Sequence, residues 1–482
     1  MSPRRLLYVI GAVIAGVGVA MLSAAAVSLI YQEWSQAGWI AIAAAATIVV
    51  GVVAWKSVGS PGELTTREGF AAVGLSWIAM CAVGTMPYLL TGSIGGVTDA
   101  FFETSAGFTT TGSSVVSLPE ALGHGMLFWR ALTQWMGGMG IIVLSIAILP
   151  LLGVGGVQLA RAESPGPTPD RLTPRFRETA KRLWAVYVVI TAVEVLFLFA
   201  GDMSFFEAVA HSFTTMSTGG FSTSSASLGG FSAYTQWVVI VFMVLAGVSF
   251  ALHFRALRDP RVYAKDAEFR LYSAILAGAA VVMLIGTWGG AIADGLRDAV
   301  FTAVSLVTTT GYTTTDFGLW APALQILAVG LMFVGGMAGS TGGSVKVYRQ
   351  GVLVSSARLD LRRLIHPRGV FVARLGKQAV PDAIVSSVQA FFIFYMFIFM
   401  TGTLLFGIIE SATGNGLGMI ESASAVASAL GNIGPGLGEV GPASNYVDIA
   451  TANKWLMSGL MIVGRLELFP VLLLFTRELW RR

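Results

Sequence analysis

Asp99–Gly112 reads DAFFETSAGFTTTG, and Asp298–Gly311 reads DAVFTAVSLVTTTG. Two further stretches follow the same plan. Glu207 leads to Met216-Ser217-Thr218-Gly219-Gly220, and Glu421 leads to Gly431-Asn432-Ile433-Gly434-Pro435. Each copy is a segment of about a dozen residues that opens near an acid and closes on a short polar, glycine-bearing stretch. Counted back from Gly112, Gly311 and Gly434 the acid stands thirteen residues earlier, and counted back from Gly219 it stands twelve earlier. Four such interruptions organise an otherwise apolar chain.

Of the 482 residues 55% are hydrophobic and 12% charged, with a mean hydropathy of +0.75; soluble domains carry roughly 25% charged residues. Ten apolar runs, at 6–31, 37–55, 70–90, 126–152, 182–200, 233–254, 271–289, 322–347, 383–409 and 454–476, approach or exceed the ~20 residues that span a bilayer. The first follows Arg4 and Arg5 like a signal peptide, but it outruns the usual apolar region of about 7–15 residues, so it reads as a retained helix. The single cysteine, Cys81, excludes an internal disulfide and a cysteine-based metal site. The expected fold class is an all-α polytopic membrane protein. It has ten transmembrane helices, with four pseudo-fourfold helix–pore-loop–helix repeats around a central pore plus two N-terminal helices. The expected divisions are 1–62 for the N-terminal pair, then 63–160, 161–262, 263–360 and 361–482 for the repeats.

Charge asymmetry orients the chain. The N-terminal tail and segments 56–69, 153–182, 255–270, 346–382 and 477–482 hold 26 of the 30 Lys and Arg residues. By the positive-inside rule these face the cytoplasm, with both termini inside and all four polar stretches entering from outside. Arg130, Arg297 and Lys454 are left on the outer side, and Arg465 lies within a span. Trp129, Trp237 and Trp455, near outer span ends, read as interface anchors. Segment 153–182, with Pro165, Pro167, Pro169 and Pro174, reads as an extended connector. Segment 346–382, with Arg358, Arg362, Arg363 and Arg368, reads as a basic connector carrying a short interfacial helix. No GxxxxGK[ST] motif occurs, which argues against ATP hydrolysis, and the basic charge belongs to membrane topology rather than to nucleic acid.

Irregular backbone at membrane depth is tolerated where protein buries it or where it lines a water-filled path. Four such stretches imply a shared aqueous axis. Carbonyl oxygens replace a cation's hydration shell, and glycine presents them without a side chain in the way. Thr and Ser hydroxyls add hard oxygen ligands. If the lead-in segments are inward-running helices, their negative C-terminal ends face the ion and their acids sit at the positive N-termini. The candidate ion-binding residues are Thr110, Thr111, Gly112, Ser217, Thr218, Gly219, Thr309, Thr310, Gly311, Asn432, Ile433 and Gly434.

The set TSAGFTTTGSS, HSFTTMSTGGFST, VSLVTTTGYTTTDFG and LGNIGPGLG, with GGMAGSTGGSVKVYR and VGRLELFP, resembles the TrkH/TrkG/KtrB potassium uptake family, related to plant HKT transporters and ancestrally to potassium channels. The likeness covers the whole chain, and the two extra N-terminal helices look more like TrkH than KtrB. It implies a selectivity filter at Gly112, Gly219, Gly311 and Gly434 and potassium as substrate, with no other cofactor. In the plant relatives a serine at the first of these positions accompanies sodium transport, and glycine favours potassium. Asn432-Ile433 departs from Thr-Thr, which makes the ring only pseudo-fourfold. The likeness further implies a homodimer in the cytoplasmic membrane of a prokaryote and a cytosolic nucleotide-binding regulator of the TrkA type.

Gly335, Gly336, Gly339, Gly342 and Gly343, interleaved with Ser340 and Thr341, put five glycines in nine residues. Each costs a helix about 1 kcal/mol relative to alanine, so the eighth span is expected to break. The family likeness makes that break a gate below the filter. Arg465, near mid-span, must face a polar interior, where its charge raises the barrier to cations and pairs with carbonyls of the glycine loop. Glu467, two residues on, points to another helix face. Glu194 reads as a structural hydrogen-bonding group toward a pore segment, and His211 as a packed helix residue. A secondary transporter with a midplane site is the alternative, and it predicts paired discontinuous helices rather than four equivalent outer loops. A membrane hydrolase lacks a partner for Ser340. Coupling of flux to protons or sodium is not legible in these residues.

Overall fold

The computed structural model describes residues 2–58, 65–147, 172–287, 292–414 and 416–480. The proline-rich part of the predicted 153–182 connector lies outside them. The described residues are mainly helical, and the β-structure among them is one two-residue antiparallel pair, Arg374–Leu375 with Gln378–Ala379.

Pro3–Ile30 and Trp34–Lys56 pair as an antiparallel hairpin. Their backbones meet at Gly11, Gly18 and Gly51; a methyl group on Gly18 would stand 2.8 Å from the Ile48 nitrogen. Small residues allow that approach, as expected where lipid supplies no hydrophobic drive between helices. Thr65 and Glu68 form a reciprocal capping box at the start of Thr66–Gly84.

Among the described residues six helices are long and apolar enough to cross a membrane, and a seventh crossing is the pair Ala233–Ala246 and Phe250–Ala256, bent by 99°. Of the other expected spans, 126–152 overlaps the helix His124–Ala147. The run 322–347 breaks as anticipated: Pro322–Leu331 ends, an irregular segment follows, and a new helix, Val347–Ile365, begins. That second helix has 19 residues and carries Arg358, Arg362 and Arg363, so the basic segment 346–382 does hold a helix.

Two breaks correct the sequence reading. The sixth span is not continuous, because it turns at Gly247-Val248-Ser249. The tenth stops at Arg465, the last residue of Thr451–Arg465, and restarts as Phe469–Leu474 after Glu467 and Leu468 take φ of 56° and 63°. Arg465 therefore ends a helix, where its charge meets the negative end of the macrodipole.

The four lead-in segments are helices Val97–Phe108, Phe205–Met216, Ile292–Val307 and Met419–Gly431. Asp99, Glu207 and Glu421 fall in their first turns. Asp298 does not: its helix starts at Ile292, and its carboxylate accepts from Thr314 Oγ1 at 2.9 Å. One apolar core joins the N-terminal helices to the first and fourth copies through Met21, Tyr88, Phe102 and Met457. A second joins the middle two copies through Met243, Tyr272, Phe301 and Met332.

Candidate functional site

Each short helix ends in the same hydrogen-bond pattern. Thr110 N–H donates to Gly107 O and Thr111 N–H to Ala106 O, which is a Schellman closure. Thr218 with Gly219, Thr309 with Thr310, and Asn432 with Ile433 repeat it, bonding back to Thr215 and Thr214, Leu306 and Ser305, and Ala429 and Ser428. The left-handed residue of each closure is Thr110, Thr218, Thr309 or Asn432, at φ of 53°, 55°, 61° and 55°. Asn tolerates that region, whereas a β-branched residue there is strained. Three threonines holding one strained conformation mark a site the surroundings enforce.

The residue two positions on is glycine in every copy: Gly112, Gly220, Gly311 and Gly434, at φ of 83°, 75°, 82° and 117°. This moves the register of the second copy by one. Gly220, not Gly219, is the counterpart of Gly112, and the equivalent triplet is Thr218-Gly219-Gly220 rather than Ser217-Thr218-Gly219. Counted from Gly220, Glu207 stands thirteen residues earlier, so all four spacings agree.

These glycines close a cycle. A methyl group on Gly112 would strike Gly219 O; on Gly220, Thr310 O; on Gly311, Ile433 O; and on Gly434 it would stand 2.9 Å from Thr111 O. Each copy's glycine packs against the carbonyl of the next, and the fourth returns to the first. The residues Thr110, Thr111, Thr218, Thr309, Thr310, Asn432 and Ile433 are all fully buried. Chain pairs lock the ring from behind. Ser113 Oγ and Tyr446 OH donate to Gly434 O at 2.8 and 2.9 Å. Gln134 Nε2 donates to Gly219 O at 2.7 Å, and Asn432 Nδ2 to Thr111 Oγ1 at 3.0 Å. Tyr312 OH bonds Thr214 Oγ1 and donates to His211 O.

Arg130, Lys454 and Arg297, which the charge pattern assigns to the outer side, are all paired. Arg130 is buried, bonds Glu103 at 2.9 Å and Ser222 O at 3.2 Å, and lies 4.2 Å over the Phe221 ring. Glu103 in turn accepts from Val115 N–H at 2.9 Å. Lys454 pairs with Asp99 at 2.7 Å and Arg297 with Asp294 at 2.9 Å. Trp129 corrects an expectation: it is fully buried with Nε1 on Gly84 O at 3.2 Å, not at the lipid interface. Trp237 and Trp455 are 40% and 46% exposed. His211 is packed as expected, bonding Glu207 O and Ser222 Oγ. Glu194 is buried with its carboxylate against the Thr215 side chain of the second short helix.

The irregular segment of the broken eighth span packs against the C-terminal ends of the short helices. Gly335 and Gly339 take φ of 81° and 80°. Met337 N–H donates to Gly247 O at 2.8 Å, and Phe250 N–H to Gly339 O at 3.1 Å, so this loop sits in the bend of the sixth span. Thr341 Oγ1 donates to Met216 O at 3.0 Å, Gly343 N–H to Thr309 Oγ1 at 2.7 Å, and a methyl group on Gly343 would strike Gly431 O. The loop therefore touches the ends of three of the four short helices. Arg465 adds the first copy: it donates to Thr341 O at 2.7 Å and to Gly137 O at 3.1 Å.

Lys346 was not singled out in the sequence, where it counts among the cytoplasmic cations. It is buried at φ 75° and donates to Ser340 O at 3.4 Å and Gly342 O at 2.5 Å. Two cations thus hold three consecutive carbonyls of Ser340-Thr341-Gly342. Glu467 pairs with Arg349 at 2.5 Å beside them, with Arg349 4.1 Å over Phe391. Among the described residues no cluster of three His, Cys, Asp or Glu side chains offers a metal site.

A sequence model of the cation transport protein family TrkH matches residues 36–287 and 289–481. The chain belongs to the TrkH family. Family membership is that of a transporter, not an enzyme. The Trk system potassium uptake protein TrkH of Salmonella typhimurium is 38% identical over 490 residues, covering 100% of both chains. TrkG of Escherichia coli, also named a potassium uptake protein, is 32% identical over 96% of each. The crystal structure of the potassium transporter TrkH from Vibrio parahaemolyticus superposes with a TM-score of 0.90 at 36% identity, over 100% of both chains. With the helical, apolar build of the chain, this makes it an all-α membrane protein.

Proposed function

We propose that the chain takes up potassium across the cytoplasmic membrane of a prokaryote through a filter formed by the four glycine-centred stretches. The observation that carries this reading is the closed cycle in which each glycine packs on the next copy's carbonyl. Four closures of one geometry, three of them on strained threonines, present oxygen ligands around one axis, which suits a dehydrated monovalent cation. The ring comprises Thr110-Thr111-Gly112, Thr218-Gly219-Gly220, Thr309-Thr310-Gly311 and Asn432-Ile433-Gly434. A midplane transporter would need two discontinuous helices, whereas four equivalent closures favour a pore.

Gly335–Gly343 and Arg465 act as the gate, and Lys346 joins them. Ten crossings with both termini cytoplasmic follow if the three broken runs each cross once. A homodimer and a cytosolic nucleotide-binding partner of the TrkA type complete the reading. Rubidium uptake into proteoliposomes tests it, with competing sodium and with or without a pH gradient. Selective rubidium flux indifferent to the gradient supports a uniporting pore, and gradient-driven flux a coupled one. Absence of flux of either ion in folded protein refutes the filter.

A further inference from the structure

A cavity of ≈ 910 Å³ lies between the helices Ala267–Gly286, Val347–Ile365 and Asp382–Thr413, away from the ring. Its size is that of a small-molecule site, about 300–1,000 Å³. Its inner wall is apolar, built from Leu271, Phe333, Val354, Phe392 and Met396. Its rim carries Arg358, Arg362 and Arg374, all exposed. No carboxylate lines it, and among the described residues none of the three arginines has a salt-bridge partner, although their neighbour Arg363 pairs with Asp360.

Position fixes the chemistry further. Leu271 lies in the first turns of a helix that follows Arg255, Arg258, Arg261 and Lys265, so the rim is at the strongly cationic face. Met396 lies fourteen residues beyond Asp382, where its helix starts, or about 21 Å along that helix. The cavity thus runs from the basic face into the hydrocarbon depth of the bilayer. An apolar slot between spanning helices with an unneutralised cationic rim complements a molecule with an anionic head and an acyl tail. The guanidinium forks match phosphate oxygens bidentately.

We propose that this cavity binds an anionic phospholipid of the cytoplasmic leaflet. Its phosphate would sit on Arg358, Arg362 and Arg374, and an acyl chain would lie along Phe333, Phe392 and Met396. The site is separate from the ring and does not depend on the filter reading.

Native mass spectrometry of the purified full chain tests it, with phosphatidylglycerol and phosphatidylcholine of identical chains as probes and with inorganic phosphate as a head-only arm. Each basic residue near an anionic head contributes about fivefold, so the triple variant R358Q/R362Q/R374Q should lose roughly a hundredfold in phosphatidylglycerol retention. Val354 is 49% exposed, so Val354→Trp fills the slot without entering the core, and it should displace the lipid with all arginines intact. Inorganic phosphate should not displace it at matched concentration. Equal retention of both lipids, or retention unchanged in either variant, overturns the proposal. Displacement by phosphate alone indicates a free-anion site instead. Separation of a dimer by the triple variant without altered lipid retention means that a second copy of the chain covers this face.

Discussion

Replacing Arg465 with glutamine tests the gate most directly. The guanidinium donates two charge-assisted bonds, to Thr341 O at 2.7 Å and Gly137 O at 3.1 Å, each worth about 1.5–3 kcal/mol. Glutamine retains at most one neutral bond of about 1 kcal/mol, leaving a net loss from the closed arrangement near 3 kcal/mol. That shifts the open-to-closed ratio by about 150-fold, so a gate open about 1% of the time becomes open about 60% of the time. Removal of the fixed charge also lowers the barrier on the axis. Because the closed arrangement is nearly all of the native state, the same loss, with about 0.3–1 kcal/mol more from the end of its own helix, should lower the thermal midpoint by a few degrees while flux rises tens of fold. The assay is rubidium uptake into proteoliposomes at matched incorporation, with selectivity against sodium measured alongside. Arg465→Lys, which keeps the charge but reaches fewer carbonyls, should fall between. Flux unchanged or reduced in a Gln variant that still unfolds cooperatively would refute the reasoning.

The corrected register separates two neighbouring glycines. Gly220→Ala forces an L side chain to φ 75° against the Thr310 carbonyl, at about 1–2 kcal/mol before the clash. It should abolish rubidium-over-sodium discrimination, while Gly219→Ala, which displaces the Gln134 side chain from the Gly219 carbonyl without demanding a left-handed backbone, should weaken it less; a larger loss in Gly219→Ala than in Gly220→Ala restores the other register. Among buried acids, Glu103→Gln strands Arg130 and should cost about 3–5 kcal/mol. Glu194→Gln strands no salt-bridge partner among the described residues and keeps an oxygen for Thr215, so it should change stability by no more than about 0.5 kcal/mol; thermal unfolding in detergent ranks the two. Burial raises the Glu33 carboxyl, but bonds from His124 and Gly125 outweigh it and hold the group below its usual 4.5. A lowered carboxyl stabilises the fold above its unfolded value and loses that as pH falls below about 4.5, so Glu33→Gln should flatten the acid limb of the midpoint–pH curve.

The repeated plan was legible because hydrophobic runs and polar interruptions are coarse signals that tertiary contacts cannot disguise. The glycine-dense loop was legible for the same reason. The register of the second stretch was not, because Gly219-Gly220 offers two glycines and only backbone conformation chooses between them. The kink at Gly247-Val248-Ser249 and the stop after Arg465 carry a single glycine and no glycine respectively, with Pro470 four residues beyond the stop site at Leu466. What marks them is packing, by the Gly335–Gly343 loop at the first and by the Glu467–Arg349 pair at the second. Lys346 and Trp129 were misplaced by rules that assign residues from position along a span and cannot see which face turns inward.

Asn432 stands where the other three copies have threonine, and its amide reaches both Thr111 and Met461 O. A pore assembled from identical subunits must repeat each substitution in every quadrant. A ring written out once along a single chain is free of that constraint. One quarter can drift, brace its neighbour or be edited while three remain as they were, so ion preference can be altered in steps of a single ligand.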